Sequence, residues 1–330
     1  MKRRTFLAAL GASSLGASSF GLIRTACATE AFPSAPVKMI VPYAAGGGLD
    51  TVTRILARGM GENLKQAFVV DNRPGGGGMI GAGIVSRAAP DGYTLLMAGN
   101  PELTITPWLQ EALYSAVNDF TPIVLVAQSP NVIVANASLG GKSLRDALNA
   151  AEKTATGIAI GTPGNGSPQH IAVEVLKAQT GFKITHDPYK GAAPAATAVL
   201  GGEVPFALIG APPVIPHLKS GKLIGLAVTQ PKRSPLLPDV PTMGEAMSVM
   251  ANDDFVTWYG MLAPARTPTD IVQALEKAAF AILKRSDTRP QFAALGTDLV
   301  AMPSAEFAER MRHDSGMYSE LIRKLGIKAT

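Results

Sequence analysis

One arrangement constrains this chain more than any other: a short apolar run, a glycine-rich turn, then an amphipathic stretch, repeated along its length. Val37-Lys-Met-Ile-Val-Pro-Tyr43 is almost continuously apolar, as a strand buried on both faces must be. Residues 44–48 turn the chain. Leu49, Val52, Ile55, Leu56 and Met60 then recur at three- and four-residue steps, which is one face of a helix over 49–64. The same reading gives strands at 67–72, 93–98, 123–126, 132–135, 157–161, 184–189, 206–209 and 223–229. Between and after them it gives helices through 88, over 143–152, over 167–181, near 193–200 and 213–219, over 267–283 and over 304–325. Short links between alternating strands and helices predict an α/β architecture of mostly parallel sheets with helices on both faces. The 330 residues suit about two domains.

Charge excludes some partners once the N-terminus is set aside. The formal net charge is +5, but Lys2, Arg3, Arg4 and Arg24 lie in the first 28 residues, which hold no acid. Without them, 26 basic residues face 25 acidic ones, a net charge of +1. That leaves no electrostatic case for nucleic acid or an anionic membrane surface. Residues 1–28 read as an export leader: a basic start, a mildly apolar run, and the small-x-small site Ala26-Cys27-Ala28. Arg3-Arg4-Thr5-Phe6-Leu7 matches a twin-arginine pattern. Cleavage after Ala28 would remove Cys27, the only cysteine, and with it any disulfide or thiolate chemistry. The expected location is therefore periplasmic.

The chemistry-bearing candidates sit at strand-to-helix turns, where α/β folds bind ligands. Tyr43-Ala44-Ala45-Gly46-Gly47-Gly48 lets backbone N–H groups approach an anion at a helix start, with Asp50 in the first turn to hold the loop or a water. Gly75 to Gly81 contains a formal G-x-G-x-x-G, but Asn72-Arg73-Pro74 separates it from its strand, and Gly99-Asn100 follows the next strand where an acid is expected. It reads better as a loop lining a cleft through Gly76, Gly77, Gly78 and Met79. Thr162, Asn165 and Ser167 offer polar groups at the start of the 167–181 helix. His170 lies in its first turn, where a charged imidazole is disfavoured. His186 and Asp187 are strand neighbours that point to opposite faces, while Tyr189 ends that strand. No H-E-x-x-H, Walker loop, G-x-S-x-G or Cys–His metal spacing occurs, so no nucleophile, metal or cofactor is announced.

Taken in order, these segments resemble the Bug family of periplasmic solute-binding proteins, receptors of tripartite tricarboxylate transporters. The resemblance runs from about Phe32 to the C-terminus. It rests on Ile40-Val-Pro-Tyr-Ala-Ala-Gly-Gly-Gly-Leu-Asp50, Asn72-Arg-Pro-Gly-Gly-Gly-Gly78, Pro90-Asp-Gly-Tyr-Thr-Leu95 and Asp119-Phe-Thr-Pro122. Gly164-Asn-Gly-Ser167 with His170, Pro188-Tyr-Lys-Gly191, Pro238-Asp-Val-Pro-Thr242 and Trp258-Tyr-Gly260 continue it. The resemblance implies a two-lobed Venus-flytrap fold, type II-like, with hinge crossings near 132–136 and 258–264. Lobe one would be 32–133 with 262–330, and lobe two 134–261. It implies that the loops Tyr43–Gly48 and Gly76–Met79, with Asn100, hold a carboxylate. Lobe two would close with Thr162, Asn165, Ser167, His170, Tyr189 and the turn Gly210-Ala211. Some family members carry an Asp at that last turn to pair with a ligand ammonium. Ile209-Gly210-Ala211-Pro212 has none, which points to an unaminated or aromatic carboxylate. The implied partners are a small carboxylate and integral-membrane transporter subunits, with the receptor itself a monomer. Two readings compete: an enzyme using Gly76–Gly81 for a nucleotide, and a regulatory effector domain of similar fold.

Overall fold

The apolar runs build two separate sheets. In the computed structural model, which describes residues 32–139, 143–155 and 157–328, the strands are β1 Val37–Val41, β2 Phe68–Asn72, β3 Thr94–Gly99, β4 Phe120–Ser129, β5 Asn131–Asn136 and β6 Ile158–Thr162. They continue with β7 Ile184–Pro188, β8 Phe206–Gly210, β9 Leu223–Val228, β10 Thr257–Pro264 and β11 Asp298–Pro303. The expected leader over 1–28, with Cys27, lies outside the described residues. Six strands form one sheet in the order β11-β4-β10-β3-β1-β2, and five form the other in the order β7-β6-β8-β5-β9.

The continuous apolar runs are explained by burial on both faces. In β5, Val132 and Val134 enter one core and Ile133 and Ala135 another, all essentially unexposed. The Gly48–Leu64 and Thr269–Leu283 helices cover one face of the six-stranded sheet. The Met79–Ser86 helix and the first half of the Ser304–Leu325 helix cover the other. The Leu144–Ala151 and Pro168–Thr180 helices cover one face of the five-stranded sheet, and the Ala192–Gly201 helix the opposite face.

The sheets are mixed, not mostly parallel. β1 pairs in parallel with β2 and β3, and β6 with β7 and β8. But β10 runs antiparallel to β3 and β4, and β5 antiparallel to β8 and β9. Both strands enter their sheet from the other one, β5 directly after β4 and β10 through the 229–256 segment, so neither is returned in parallel by a helix packed on its own sheet. The chain leaves the six-stranded sheet at Ser129 and joins the five-stranded sheet at Asn131. That lies just before the 132–136 segment expected for this crossing. The return is complete before β10 begins at Thr257, so 258–264 belongs wholly to the six-stranded sheet. Nor does the C-terminal helix stay with one sheet: Phe307 and Met311 pack on the six-stranded sheet, Tyr318 and Ile322 in the core of the other.

Side chains lock the two passages together. Asn131 donates its amide to the Phe255 carbonyl. Thr229 Oγ1 donates to the same carbonyl at 3.3 Å, and Asn100 Nδ2 to the next one, Val256, at 2.7 Å. Gln169 Nε2, at the start of its helix, donates to Asn131 Oδ1 at 2.7 Å. All four of these side chains are buried, so none has water as an alternative partner.

One contact between β10 and the C-terminal helix tests this packing. A Cβ built on Gly260 would collide with Phe307 Cζ, and the Phe307 ring is fully buried, edge-on to Trp258 at 5.2 Å. Gly260→Ala should therefore cost about 3 kcal/mol by overpacking, read as a lower midpoint in denaturant unfolding at unchanged slope.

Candidate functional site

The loop after β1 is organised by one carboxylate. Asp50 lies in the first turn of the Gly48–Leu64 helix and is 3% exposed. It accepts from Gly46 N at 2.9 Å, Arg54 Nε at 3.0 Å and Asn72 Nδ2 at 3.0 Å. Burial works to raise its pKa, but the Arg54, Gly46 and Asn72 hydrogen bonds outweigh it and hold the carboxyl below its ordinary value. Asn72 also donates to the Tyr43 carbonyl at 3.0 Å, tying the loop to the end of β2. Asp50 thus spends itself on the loop, as one of its two expected tasks required. Ala44, Ala45, Gly46 and Gly47 are left exposed in front of a helix whose cap, Gly47, supplies no side-chain hydrogen bond.

The second glycine loop meets the first through a buried acid that sequence reasoning missed. Glu102 is 0% exposed. Its Oε2 accepts from the Tyr43 hydroxyl at 2.7 Å and its Oε1 from Gly99 N at 2.7 Å. Gly78, with φ +94°, presses its Cα on this pair: a Cβ there would lie 2.9 Å from Glu102 Cβ and 3.1 Å from the Tyr43 oxygen. Gly78 is also the cap of the Met79–Ser86 helix, again with no side-chain hydrogen bond. The glycine-capped start of the Met79–Ser86 helix therefore rests on a Tyr43–Glu102 pair whose tyrosine opens the loop to the other glycine-capped helix start at Gly47. Burial pushes the Glu102 carboxyl up to about 7, even though the Tyr43 hydroxyl and the Gly99 N–H favour its ionised form. Burial and the neighbouring Glu102 push Tyr259, whose hydroxyl approaches Gly48, up to about 12.

The third loop meets the second across Thr106. A Cβ on Gly77 would lie 3.4 Å from Thr106 Cγ2, and one on Gly166 would lie 3.4 Å from Thr106 Oγ1. Thr106 follows a π-helical turn, Pro101–Ile105, that starts directly after β3. In the third loop Ser167 caps the Pro168–Thr180 helix, accepting from His170 N at 3.1 Å. His170 Nδ1 accepts from Gly166 N at 3.2 Å, which assigns its proton to Nε2 and keeps the ring neutral. Its ring stacks on His186 with centroids 4.2 Å apart. Burial first, then His170, pushes the His186 pKa down to about 3. The buried Thr162 hydroxyl lies 2.6 Å from His186 Nε2.

Not every expected contact residue lies where a ligand could meet it. Asn100 is 0% exposed and donates to Val256, so it locks the passage between sheets and presents no surface. Ala211 is likewise 0% exposed, its N–H bonded to the Pro130 carbonyl at 2.9 Å, and Gly210 is buried beside it. The Tyr189 hydroxyl donates outward to Glu203 at 3.0 Å while its ring covers Gly161. The exposed backbone lies at Ala44–Gly47 and Gly76–Gly77, with Asn165 exposed on the third loop. In the G-x-G-x-x-G run, Gly81 serves packing: a Cβ there would lie 2.8 Å from Pro42 Cα. Among the described residues no cluster of three His, Cys, Asp or Glu could hold a metal, and no helix is long and apolar enough to cross a membrane.

Comparison with known proteins is consistent across sequence and structure. The family described as "Tripartite tricarboxylate transporter family receptor" matches residues 52–327. BugT of Bordetella pertussis is 34% identical over 308 residues, 90% of this chain and 92% of BugT. A solved R. palustris protein with adipate has a TM-score of 0.81 at 29% identity, covering 90% of this chain and 99% of that one. MatC from Rhodopseudomonas palustris, with bound malate, has a TM-score of 0.77 at 28% identity, covering 88% of this chain and 100% of that one.

Two outcomes follow from the Gly78–Glu102 contact. Gly78→Ala imposes both a clash and a left-handed conformation and should cost about 2–3 kcal/mol, whereas Gly77→Ala, with looser surroundings, should cost less; thermal unfolding ranks them. Glu102 binds its proton more tightly folded than unfolded, from an ordinary value of 4.5 up to about 7. Its contribution is fully present below the lower value and is lost as pH rises through the upper one. Relative to Glu102→Gln, the wild type should lose on the order of 3 kcal/mol between pH 4.5 and 8, seen as diverging melting temperatures.

Proposed function

The chain belongs to the tripartite tricarboxylate transporter receptor family, and from that premise we propose that it captures a small carboxylate between its two sheets for delivery to membrane transporter subunits. The observation that carries this reading is that the glycine-capped helix start at Gly78 rests on the Tyr43–Glu102 pair, whose tyrosine opens the exposed loop leading to the other glycine-capped helix start at Gly47. At the second helix start the Gly78 and Met79 N–H groups already donate to the Gly75 and Gly76 carbonyls, so the donors are the exposed backbone of Ala44–Gly47 and Gly76–Gly77, and the helix dipoles favour an anion there. A carboxylate held by Ala44–Gly47 and Gly76–Gly77 would need little rearrangement of the loops to bind. Relatives solved with adipate and malate fit this chemistry.

In this reading the six-stranded sheet forms the first lobe and the five-stranded sheet the second. The third glycine loop, from Thr162 to Ser167, closes over the ligand against Thr106. The protein acts as a monomeric receptor, not an enzyme: the exposed loops offer backbone donors, and the hydroxyl that has an imidazole beside it, Thr162 at 2.6 Å from His186 Nε2, is buried. The leader over residues 1–28 directs export to the periplasm, with cleavage after Ala28.

A thermal-shift panel of mono-, di- and tricarboxylates, amino acids and nucleotides tests the proposal, because binding to the folded state raises the midpoint by mass action. A carboxylate is expected to shift it and a nucleotide is not. Gly47→Val is the decisive control. Gly47 has ordinary helix-cap geometry (φ −75°), and a Cβ there would meet only the Ala44 carbonyl, at 3.7 Å. The variant should melt with the wild type yet lose the carboxylate shift. A shift that survives it would place the ligand elsewhere.

A further inference from the structure

Glu102 poses a problem that the receptor reading leaves open. An anion site is built directly on a buried carboxyl group, and an ionised carboxylate there opposes the ligand it helps to seat. Its two oxygens accept from the Tyr43 hydroxyl and from Gly99 N, each at 2.7 Å, and neither donor is a cation. The titratable groups that face it are Tyr43 from the loop after β1, Tyr114 from the 110–119 segment and Tyr259 from β10. Tyr114 donates to the Glu102 backbone carbonyl and not to its carboxyl. On the remaining side lies Gly78, which brings no charge. The Tyr259 hydroxyl approaches Gly48, but of the three only Tyr43, half-buried, both donates to the Glu102 carboxyl and reaches the second glycine loop, where its oxygen lies 3.5 Å from the Gly77 carbonyl.

We propose that Glu102 is a proton site coupled to carboxylate capture, which acts by reversing its hydrogen bond with Tyr43. Ionised Glu102 holds the Tyr43 proton on its Oε2, so the tyrosine has no donor to offer the cleft. When Glu102 takes a proton from solvent, a new O–H bond forms at Oε2 and donates to the Tyr43 oxygen. The Tyr43 O–H bond stays intact, and its proton turns toward the loops, where an incoming carboxylate accepts it. One proton is taken up from water on capture and returned on release. The same step removes the negative charge that opposes the ligand. The raised pKa of about 7 places this exchange within the neutral range.

This inference rests on the proposed carboxylate site, and two measurements separate their fates. The first needs no ligand. Carbon NMR of the mature chain labelled at tyrosine Cζ, with the Tyr43 signal assigned by Tyr43→Phe, is followed from pH 5 to 9. The Tyr43 signal should move with a midpoint near 7 in the wild type. It should stay flat in Glu102→Gln, a neutral isostere whose oxygen can still accept from Gly99 N while its amide donates to the Tyr43 oxygen, as the protonated acid would. A wild-type signal that does not titrate overturns the inference, whatever the protein binds. The second is calorimetry with adipate and malate in two buffers of different ionisation enthalpy. At pH 8 binding should take up close to one proton, with affinity falling about tenfold per pH unit above 7. In Glu102→Gln both effects should vanish. Proton uptake that persists in the variant also overturns the inference. If Tyr43 titrates as expected but neither acid binds at any pH, the receptor reading fails for these acids, and coupling to their capture fails with it.

Discussion

The two sheets are joined at two consecutive carbonyl groups, Phe255 and Val256, just before β10. Each is claimed from a different direction: Phe255 by Asn131 and Thr229 from the five-stranded sheet, Val256 by Asn100 from the end of β3. A buried carbonyl without a donor costs on the order of 1–3 kcal/mol, so these side chains fix where one sheet ends and the other begins. Gln169 adds the start of the Pro168–Thr180 helix to the same cluster through Asn131. The third glycine loop, immediately ahead of that helix, is therefore positioned from the junction outward. The glycine loops can remain sparsely contacted because their ends are fixed at this junction and at the Asp50 network.

The site uses that rigidity in a particular way. Each of the first two loops presents backbone and almost no side chain, so its recognition power lies in helix geometry. Backbone donors cannot be tuned by rotamer, and this makes Glu102 the element that can vary. It lies beneath both loops, it touches Gly78 from one and Tyr43 from the other, and burial has left it close to neutrality. The Asp50 carboxylate shows the contrast. It has an arginine, an amide and a backbone N–H as donors and is kept ionised, so it serves as a fixed strut.

The alternation of strand, glycine turn and helix was legible because each run carries its own period. Both glycine loops of the first sheet and the Ser167 cap could be placed from residue types alone. The mixed pairing was not legible, because a strand that crosses directly to another sheet has the same apolar pattern as one that follows a helix. Asn100 was misread as a contact residue for a related reason: a polar residue at a strand's carboxyl end looks the same whether it faces a ligand or a neighbouring carbonyl. Glu102 and Thr106 were missed because they lie on and just after Pro101–Ile105, a π-helical turn with no recognisable period. Such turns concentrate at functional sites, and a proline directly after a strand with an acid one residue later was the available signal.

That turn also bears on how the sheets communicate. Leu103 packs in the core of the six-stranded sheet, whereas Ile105, two residues on, packs in the core of the other. The C-terminal helix does the same over a longer span, from Phe307 to Tyr318. It is tied to β10 by Asp314, which accepts from the Trp258 indole at 2.8 Å and from Arg310 at 2.7 Å. The Trp108 indole reaches across to Ser315 on that helix at 3.1 Å. A displacement of one sheet relative to the other must therefore move the 101–109 segment and the C-terminal helix together. Thr106, the side chain that touches both Gly77 and Gly166, sits on that shared element. In the proposed reading, closure over a ligand and the position of Glu102 beneath it would be set by one continuous stretch of chain, so a proton bound at Glu102 and a ligand bound above it would act on the same element.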